Sequence, residues 1–171
     1  MNLPILVTGG AGYIGSFVCK TLKKAGFIPI TLDNLSTGHH ENVRWGPFVR
    51  GDLLDIAKLR EVFSIYKPQA VMHFAASALV IESVLNPAKY YENNVQASVN
   101  LLEVMKEYGV GNIVFSSSCA TYGMPKAIPI TENHPQHPIN PYGKSKKMVE
   151  MILEDFKVFG IQHAILRYFN A

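Results

Sequence analysis

A tyrosine and a lysine four positions apart have the spacing of an acid–base pair. Tyr142 and Lys146 lie in the segment Pro141-Tyr142-Gly143-Lys144-Ser145-Lys146, which opens a predicted helix and places both side chains on one helix face, about one turn apart. An ammonium group beside a phenol favours the phenolate and lowers the phenol pKa from about 10. Such a phenolate is suited to take a proton from an alcohol. The same spacing is also common in solvated surface pairs, so further residues have to support the interpretation.

Serine hydroxyls supply a candidate partner for this tyrosine. The run Ser116-Ser117-Ser118 ends the fifth predicted strand. A hydroxyl there, such as that of Ser118, could donate a hydrogen bond to the reacting oxygen and hold it in line. Serines at strand ends are also ordinary turn formers. The interpretation therefore depends on the ordered set of motifs along the chain.

A glycine-rich turn joins the first predicted strand to the first predicted helix. Gly9, Gly12 and Gly15 give the spacing GxxGxxG, and Gly10, Gly12 and Gly15 also satisfy GxGxxG. A tight turn without Cβ atoms lets the backbone approach a pyrophosphate, while the helix N-terminus supplies N–H groups and positive dipole. The strand–turn–helix context makes this signal stronger than the glycines alone.

An acidic residue follows the second predicted strand, where a dinucleotide-binding fold needs one. Asp33 lies eighteen positions beyond Gly15, and a carboxylate there can bind both adenosine ribose hydroxyls but repels a 2′-phosphate. No arginine lies between Asp33 and Val43, so we expect NAD rather than NADP. Asp52, after the third strand, could lie near the adenine, although Gly-Asp is also common turn chemistry. The expected chemistry is hydride transfer from an alcohol whose proton goes to Tyr142.

Alternating strands and helices position these motifs. The predicted strands are Leu3–Thr8, Phe27–Leu32, Phe48–Arg50, Ala70–Phe74, Asn112–Ser116 and Gln162–Arg167. The predicted helices are Tyr13–Gly26, Asp55–Tyr66, Pro87–Tyr108 and Pro141–Gly160. This order predicts an α/β fold with a doubly wound parallel sheet of about six strands, of the Rossmann type. The proline-rich segment from Cys119 to Asn140 is predicted to be a functional loop at the carboxyl edge of the sheet.

Length and composition limit the other possibilities. With 171 residues and 48% hydrophobic residues, the chain is predicted to form one domain, residues 1–171. A net charge of +3 is too small to indicate nucleic-acid binding. The apolar run from Ala70 to Ile81 is shorter than the ~18 residues that a membrane span needs. The N-terminus has no pattern of a signal peptide, so we expect a cytoplasmic protein.

Cysteine and histidine placement gives no sign of a metal. Cys19 and Cys119 lie 100 positions apart, which favours neither a disulfide framework nor a zinc site. The histidine pairs His39-His40 and His134/His137 lie in polar loops without further ligands. His73, inside a predicted strand, is expected to be a hydrogen-bonded core histidine.

Several long motifs together resemble the extended short-chain dehydrogenase/reductase family, and within it the members that epimerise nucleotide sugars at C4. The resemblance covers nearly the whole chain. The matching stretches are residues 7–16, 32–38, 73–76, 90–95, 115–123, 141–146 and 167–170.

The resemblance implies an activity and a set of residue roles. The reaction would be NAD-dependent 4-epimerisation of UDP-glucose and UDP-galactose, through a transient 4-keto sugar. Tyr142 would be the acid–base residue, Lys146 would bind the nicotinamide ribose and tune Tyr142, and Ser118 would hold the 4-oxygen. Asn170 matches a substrate contact. The remaining cofactor positions match Tyr13, Ile14, Asp33, Asn34, Asp52, Leu53, Phe74, Ala75, Asn93 and Phe169, beside Gly9, Gly12 and Gly15 of the turn.

One local departure separates this chain from relatives with other chemistry. Family dehydratases carry an Asp-Glu pair after the residue that aligns with Ser118, and family decarboxylases carry a glutamate there. This chain has Cys119 and Ala120, which cannot supply the extra acid and base that elimination of water requires. The resemblance therefore favours an epimerase.

The resemblance also implies a second domain and a partner subunit. Family members continue well beyond this point, with most substrate contacts in a C-terminal domain that this chain lacks, so we expect a bare apolar surface. Because family members pair through two helices, we predict a homodimer through the helices at 87–108 and 141–160. An alternative to pairing is that those helices are deeply buried within one subunit. Two alternatives to the proposed activity also stay open. The chain could be a catalytically silent NAD-binding or dimerisation module, or it could act on another UDP-sugar such as a UDP-N-acetylhexosamine.

Overall fold

The sheet has six parallel strands in the order β3-β2-β1-β4-β5-β6. The computed structural model describes residues 3–170. The strands are β1 (Pro4–Thr8), β2 (Ile28–Asp33), β3 (Phe48–Arg50), β4 (Ala70–His73), β5 (Asn112–Ser118) and β6 (Gln162–Tyr168). The order reverses between β1 and β4, which is where doubly wound sheets bind ligands. The structure confirms the predicted Rossmann-type fold, with strand bounds that differ by at most two residues.

Six helices surround the sheet. They are α1 (Tyr13–Lys24), α2 (Ile56–Tyr66), α3 (Val80–Leu85), α4 (Pro87–Tyr90), α5 (Ala97–Glu107) and α6 (Pro141–Asp155). The larger core lies between one sheet face and the helices α2, α5 and α6, around Phe63, Leu101 and Leu153. On the opposite face α1 packs against β1 through Cys19, Ile5 and Val7. Alternate residues of the buried strands therefore serve two different layers.

The helical predictions differ from the structure in three places. The predicted helix Pro87–Tyr108 is divided into α4, a π-helical segment Tyr91–Gln96 and α5. The predicted helix Pro141–Gly160 ends at Asp155, and a 3₁₀ turn Phe156–Phe159 follows. The short helix α3 was absent from the prediction, because its apolar sequence continues the run that follows β4 and is too short to show a helical period.

Candidate functional site

The glycine turn brings the start of α1 close to the carboxyl ends of β1 and β4. Gly9 has a positive φ of 71°, and a Cβ there would lie 2.6 Å from the backbone nitrogen of Ala75. A Cβ on Gly15 would lie 2.2 Å from the carbonyl oxygen of Gly9. Gly12 begins α1 with no side-chain cap, so the first N–H groups of the helix face outward without an intrahelical partner. This arrangement suits an anionic group that approaches the backbone.

Asp33 lies at the end of β2 and connects the turn to the following loop. Its Oδ2 accepts a hydrogen bond from Ala11 N at 3.0 Å, and its Oδ1 accepts one from Leu35 N at 2.8 Å. The side chain is buried, and each carboxylate oxygen keeps a lone pair for a further donor. Asn34 donates from Nδ2 to Asp52 Oδ2 at 2.8 Å. Asp52 is thus hydrogen-bonded to the residue that follows Asp33.

A cleft lies beside the glycine turn and Asp33. Its volume is about 600 Å³, which includes the solvent at its opening. It contains nine of the predicted cofactor residues: Gly9, Gly12, Asp33, Asn34, Asp52, Leu53, Phe74, Ala75 and Asn93. The lining also includes residues without a predicted role, namely Leu32, Ser36, Thr37, Gly38, Gly51, Ala76 and Ala97. Ser36, Thr37 and Gly38 lie three to five residues after Asp33, within the matching stretch 32–38, and that stretch was the signal that could have identified them.

Some predicted residues lie outside this lining. Gly15 is buried behind the turn, whereas Tyr13 is exposed and its ring stacks edge-on against Phe17 at 5.4 Å. Ile14 is half-buried on α1. Phe169 and Asn170 are exposed after β6. Eight of the predicted contacts of cofactor or substrate therefore lie outside the lining: Tyr13, Ile14, Gly15, Ser118, Tyr142, Lys146, Phe169 and Asn170.

The start of α6 holds Tyr142 beside the end of β5. Asn140 caps the helix, with its Oδ1 accepting from Gly143 N at 2.8 Å, and Pro141 occupies the first turn. A Cβ on Gly143 would lie 2.4 Å from the carbonyl oxygen of Ala120. Only glycine allows the first turn of α6 to pack this closely on the backbone after Ser118. Gly143 is a functional position that the tyrosine–lysine spacing alone did not reveal.

The environment of Tyr142 differs from the expectation for its pKa. Burial raises the pKa of the Tyr142 phenol above its ordinary value, and the adjacent Ser118 hydroxyl partly opposes this effect. The predicted lowering by Lys146 was wrong for the protein without cofactor. Lys146 Nζ lies 6.0 Å from the centroid of the Tyr142 ring and donates instead to the carbonyl oxygen of Ser116 at 2.8 Å. Ser118 and Tyr142 are brought together as predicted.

Lys146 is almost fully buried. Its Nζ lies 4.9 Å from the centroid of the Phe115 ring. Burial lowers the pKa of Lys146 to about 7, although the carboxylate of Glu150 acts in the opposite direction. A lysine in this state changes charge near neutral pH, which is the range in which proton transfer to and from an alcohol is useful.

A buried chain of hydrogen bonds connects the cleft to α6. His73 Nδ1 lies 2.7 Å from Thr8 Oγ1, and His73 Nε2 lies 2.9 Å from Ser98 Oγ. Ser98 donates to the carbonyl oxygen of Asn94, whose Nδ2 donates to Ser145 Oγ at 3.0 Å. The prediction of a hydrogen-bonded core histidine is confirmed. Asn94 and Ser145 were not predicted, because only the fold brings them together.

Residues 3–170 contain neither a metal cluster nor a membrane-spanning helix. Within this range no group of three or more His, Cys, Asp or Glu side chains is arranged to hold a metal ion. No helix of the same range is long and apolar enough to cross a membrane.

Fold and site together define a Rossmann-type dinucleotide-binding domain with a tyrosine–lysine–serine group at its carboxyl edge. The chain belongs to the NAD dependent epimerase/dehydratase family, whose model matches residues 5–171. The family resemblance seen in the motifs is thereby confirmed.

Individual relatives agree with this assignment. A UDP-glucose 4-epimerase of Rhizobium leguminosarum bv. trifolii is 50% identical over 168 residues, which are 98% of this chain and 51% of that protein. The crystal structure of a UDP-glucose 4-epimerase from Brucella ovis in complex with NAD is 53% identical with a TM-score of 0.97, and covers 98% of this chain and 52% of that one. A UDP-Glc/GlcNAc 4-epimerase of Campylobacter jejuni is 42% identical with a TM-score of 0.95, covering 99% and 54%. This chain spans about half the length of these relatives.

Proposed function

We propose that residues 1–171 form one NAD-binding domain and that NAD binds in the cleft at the glycine turn. Three features of the cleft fit this cofactor. The turn has no Cβ atoms where a pyrophosphate would approach, the first N–H groups of α1 are uncapped, and the Asp33 carboxylate faces the cleft. No arginine lines the cleft to accept a 2′-phosphate, which supports NAD over NADP. Tyr13, Ile14 and Phe169 would contact the cofactor from outside this lining.

The proposed reaction is the interconversion of UDP-glucose and UDP-galactose through a 4-keto sugar. Bound NAD, held by the glycine turn, Asp33 and Lys146, would supply the hydride acceptor and donor for C4 of the sugar. Tyr142 takes the proton of the 4-hydroxyl as the hydride leaves, and gives it back when the keto sugar is reduced. Ser118 holds the 4-oxygen by a hydrogen bond, Lys146 holds the nicotinamide ribose, and Asn170 contacts the substrate. The cationic nicotinamide and a charged Lys146 would offset the effect of burial on the pKa of Tyr142.

The observation that carries the proposal is the position of Tyr142 and Ser118. Ser118 ends β5 and Tyr142 lies in the first turn of α6, so both are at the carboxyl edge of the sheet that also holds the cleft. Cys119 and Ala120, which follow Ser118, supply no second acid and base for elimination of water. Their chemistry supports an epimerase over a dehydratase.

We further propose that the protein works in the cytoplasm and pairs with a second copy. Both cysteines are free thiols, and one of them is buried, as is usual in a reducing compartment. Met148 and Met151 on α6 and Tyr91 beside α4 are exposed apolar side chains. They lie within the two helical regions, 87–108 and 141–160, that the dimer would use.

A coupled assay tests the proposed function. The 171-residue protein and a version extended to the length of its relatives are supplied with NAD and UDP-galactose, and formation of UDP-glucose is measured. We expect turnover that is lost in Tyr142→Phe, while NAD binding and folding of that variant are unchanged. Turnover in the extended version alone would assign the reaction to the longer chain, with this part as its NAD-binding module. Turnover with UDP-N-acetylglucosamine but not UDP-galactose would support the alternative substrate, and no turnover in either chain would refute the proposal.

A further inference from the structure

A partly buried ion pair lies one helical turn beyond Lys146. Glu150 is on the same face of α6 and is only 5% exposed. Arg167 of β6 binds its carboxylate in a bidentate manner, with Nε 3.1 Å from Oε1 and Nη2 2.8 Å from Oε2. Ser117 also donates to Oε1, and Gln136 Nε2 donates to Oε2 at 2.8 Å. The carboxylate therefore has four donors from three different parts of the chain.

The elements joined by this pair are those that hold the proposed reaction centre. Ser117 immediately precedes Ser118 and is paired in register with Arg167 across β5 and β6. Arg167 in turn precedes Phe169 and Asn170 by two and three residues. Its Nη1 donates to the hydroxyl of Tyr122 at 2.9 Å. A shift of Glu150 would move α6, the end of β5 and the exit of β6 together.

Glu150 also affects the charge of Lys146. The charged and titratable groups around Lys146 are Tyr142 and Glu150 on α6, His73 on β4, and Arg167 beyond Glu150. Among these, His73 is uncharged near neutral pH because burial lowers its pKa to about 3. Glu150 is the carboxylate that favours the ammonium form of Lys146 against burial. Hydrogen bonds from its donors in turn keep the pKa of Glu150 below its ordinary value despite burial.

We propose that Glu150, fixed by Arg167, is a positioning residue for the reaction: it ties α6, which carries Tyr142 and Lys146, to the strand ends that present Ser118 and Asn170, and its charge acts on the Lys146 side chain one helical turn away. The assignment rests on the proposed function for what Lys146 does, but its effect on Lys146 is measurable in the protein alone. Glu150 does not line the cleft, and it acts through Lys146 and Ser117.

Nitrogen-15 NMR of the lysine side chains in the whole 171-residue chain measures the protonation of Lys146 as the pH is changed. The Lys146 signal is assigned as the one that disappears in Lys146→Arg. In the unaltered protein we expect a midpoint near pH 7. Glu150→Gln removes the carboxylate and leaves Arg167 uncompensated, so the midpoint should fall by about one pH unit or more. Glu154→Gln, an exposed residue on the same helix, is the matched control and should leave the midpoint unchanged.

Two further measurements keep the result interpretable. If Glu150→Gln does not fold, the double variant Glu150→Leu/Arg167→Met removes both charges, since an apolar replacement of a buried pair is often tolerated; it should also lower the midpoint. Calorimetry with NAD should show weaker binding by Glu150→Gln at neutral pH, with recovery on acidification as Lys146 regains its proton. An unchanged Lys146 midpoint in a folded variant would overturn the proposal. Absence of NAD binding by the unaltered protein would instead overturn the proposed function.

Discussion

Buried titratable side chains make the stability of this domain dependent on pH. His73 is completely desolvated and bonded at both ring nitrogens, so its pKa falls to about 3. Between pH 6.5 and 3 the unfolded chain binds a proton at this position that the folded chain does not bind. The free energy of unfolding must then fall as the pH falls through this range. Lys146, with a folded pKa of about 7, acts mainly at higher pH, where stability should rise between about pH 7 and 10.

The first prediction concerns His73. The free energy of unfolding of the unaltered protein, measured with urea, should fall by about 2 kcal/mol between pH 7 and pH 5 because of His73 alone. In His73→Gln, which keeps a donor and an acceptor but does not titrate, that loss should disappear even though the variant is less stable at pH 7. His39→Gln, at an exposed position, should keep the slope of the unaltered protein. Equal slopes in His73→Gln and in the unaltered protein would show that His73 is protonated in the folded state.

At this scale the sequence predicted residue types and places better than it predicted their electrostatics. The spacing of Tyr142 and Lys146 correctly placed both residues on one helix face. The spacing did not show that the Lys146 ammonium donates to the carbonyl oxygen of Ser116 rather than to the Tyr142 phenol. That partner depends on how α6 is positioned along β5, which only the fold determines. The Glu150–Arg167 pair was missed for a similar reason, since seventeen positions separate the two residues.

Two junctions between elements determine the site, and the first is the β1–α1 turn. A Cβ on Gly12 would meet only the carbonyl oxygen of Gly9, at 3.3 Å, whereas a Cβ on Gly15 would meet it at 2.2 Å. The same substitution should therefore have different consequences at the two positions.

The second prediction compares Gly12→Ala with Gly15→Ala. Gly12→Ala should change the free energy of unfolding by only about 1 kcal/mol but weaken NAD binding about tenfold or more, because its methyl group lies where the pyrophosphate approaches. Gly15→Ala should be strongly destabilised, because its methyl group has no room. Thermal unfolding and calorimetry separate the two effects. Normal NAD affinity in Gly12→Ala would mean that the cofactor does not approach this turn.

The N-terminus of α6 is the second junction, and it supports the third prediction. Asn140→Ala removes the side-chain acceptor of the Gly143 N–H and should cost about 1 kcal/mol of stability. Because Tyr142 lies in the same turn, the variant should also lose turnover in the extended enzyme. Asn140→Asp, which keeps the capping oxygen, should retain both properties. If Asn140→Ala lost stability but kept full turnover, the cap would have no part in placing Tyr142.

At the scale of elements, the fold was predictable almost completely because the buried parallel strands are short apolar runs between turn residues. The departures occur where tertiary packing overrides local pattern. The π-helical segment Tyr91–Gln96 places Asn94 inward to bond Ser77 and Ser145, and no residue type in that segment indicates an extra residue per turn. The helix α3 is stabilised by its contacts with α4, where Tyr90 donates to the carbonyl oxygen of Leu79 at 2.6 Å.

The whole molecule leaves two apolar surfaces in solvent. One is on α3 and α6, and its exposed side chains are Val80, Ile81, Val84, Leu85, Met148 and Met151. The other is a groove of about 720 Å³ on the sheet face opposite α6, along β4, β5 and β6. Met72, Val114 and Ala164 lie in this groove, and no helix of residues 3–170 covers it. Parallel sheets normally have both faces covered.

The fourth prediction concerns the part of the α3–α6 surface that lies on α6, which belongs to one of the two helical regions, 87–108 and 141–160, through which pairing is proposed. Met151→Glu places a charge in the proposed contact between two copies and should convert a dimer into a monomer, which light scattering coupled to size-exclusion chromatography detects. Ile65→Glu changes an apolar residue on α2 that is similarly exposed, at 62% against 59%, and should leave the dimer intact. A monomeric unaltered protein, or a dimer that persists in Met151→Glu, would contradict pairing through this surface.

Titration calorimetry of the 171-residue protein with NAD and, separately, with NADP tests most directly whether this domain is an NAD site. We expect one NAD site per chain and binding of NADP that is weaker by about tenfold or more, because the Asp33 carboxylate repels a 2′-phosphate. In Asp33→Asn the preference for NAD over NADP should narrow, whereas Asp155→Asn, at an exposed position, should keep it. A folded protein that binds no NAD, or that binds NADP more tightly than NAD, would refute NAD binding in this cleft.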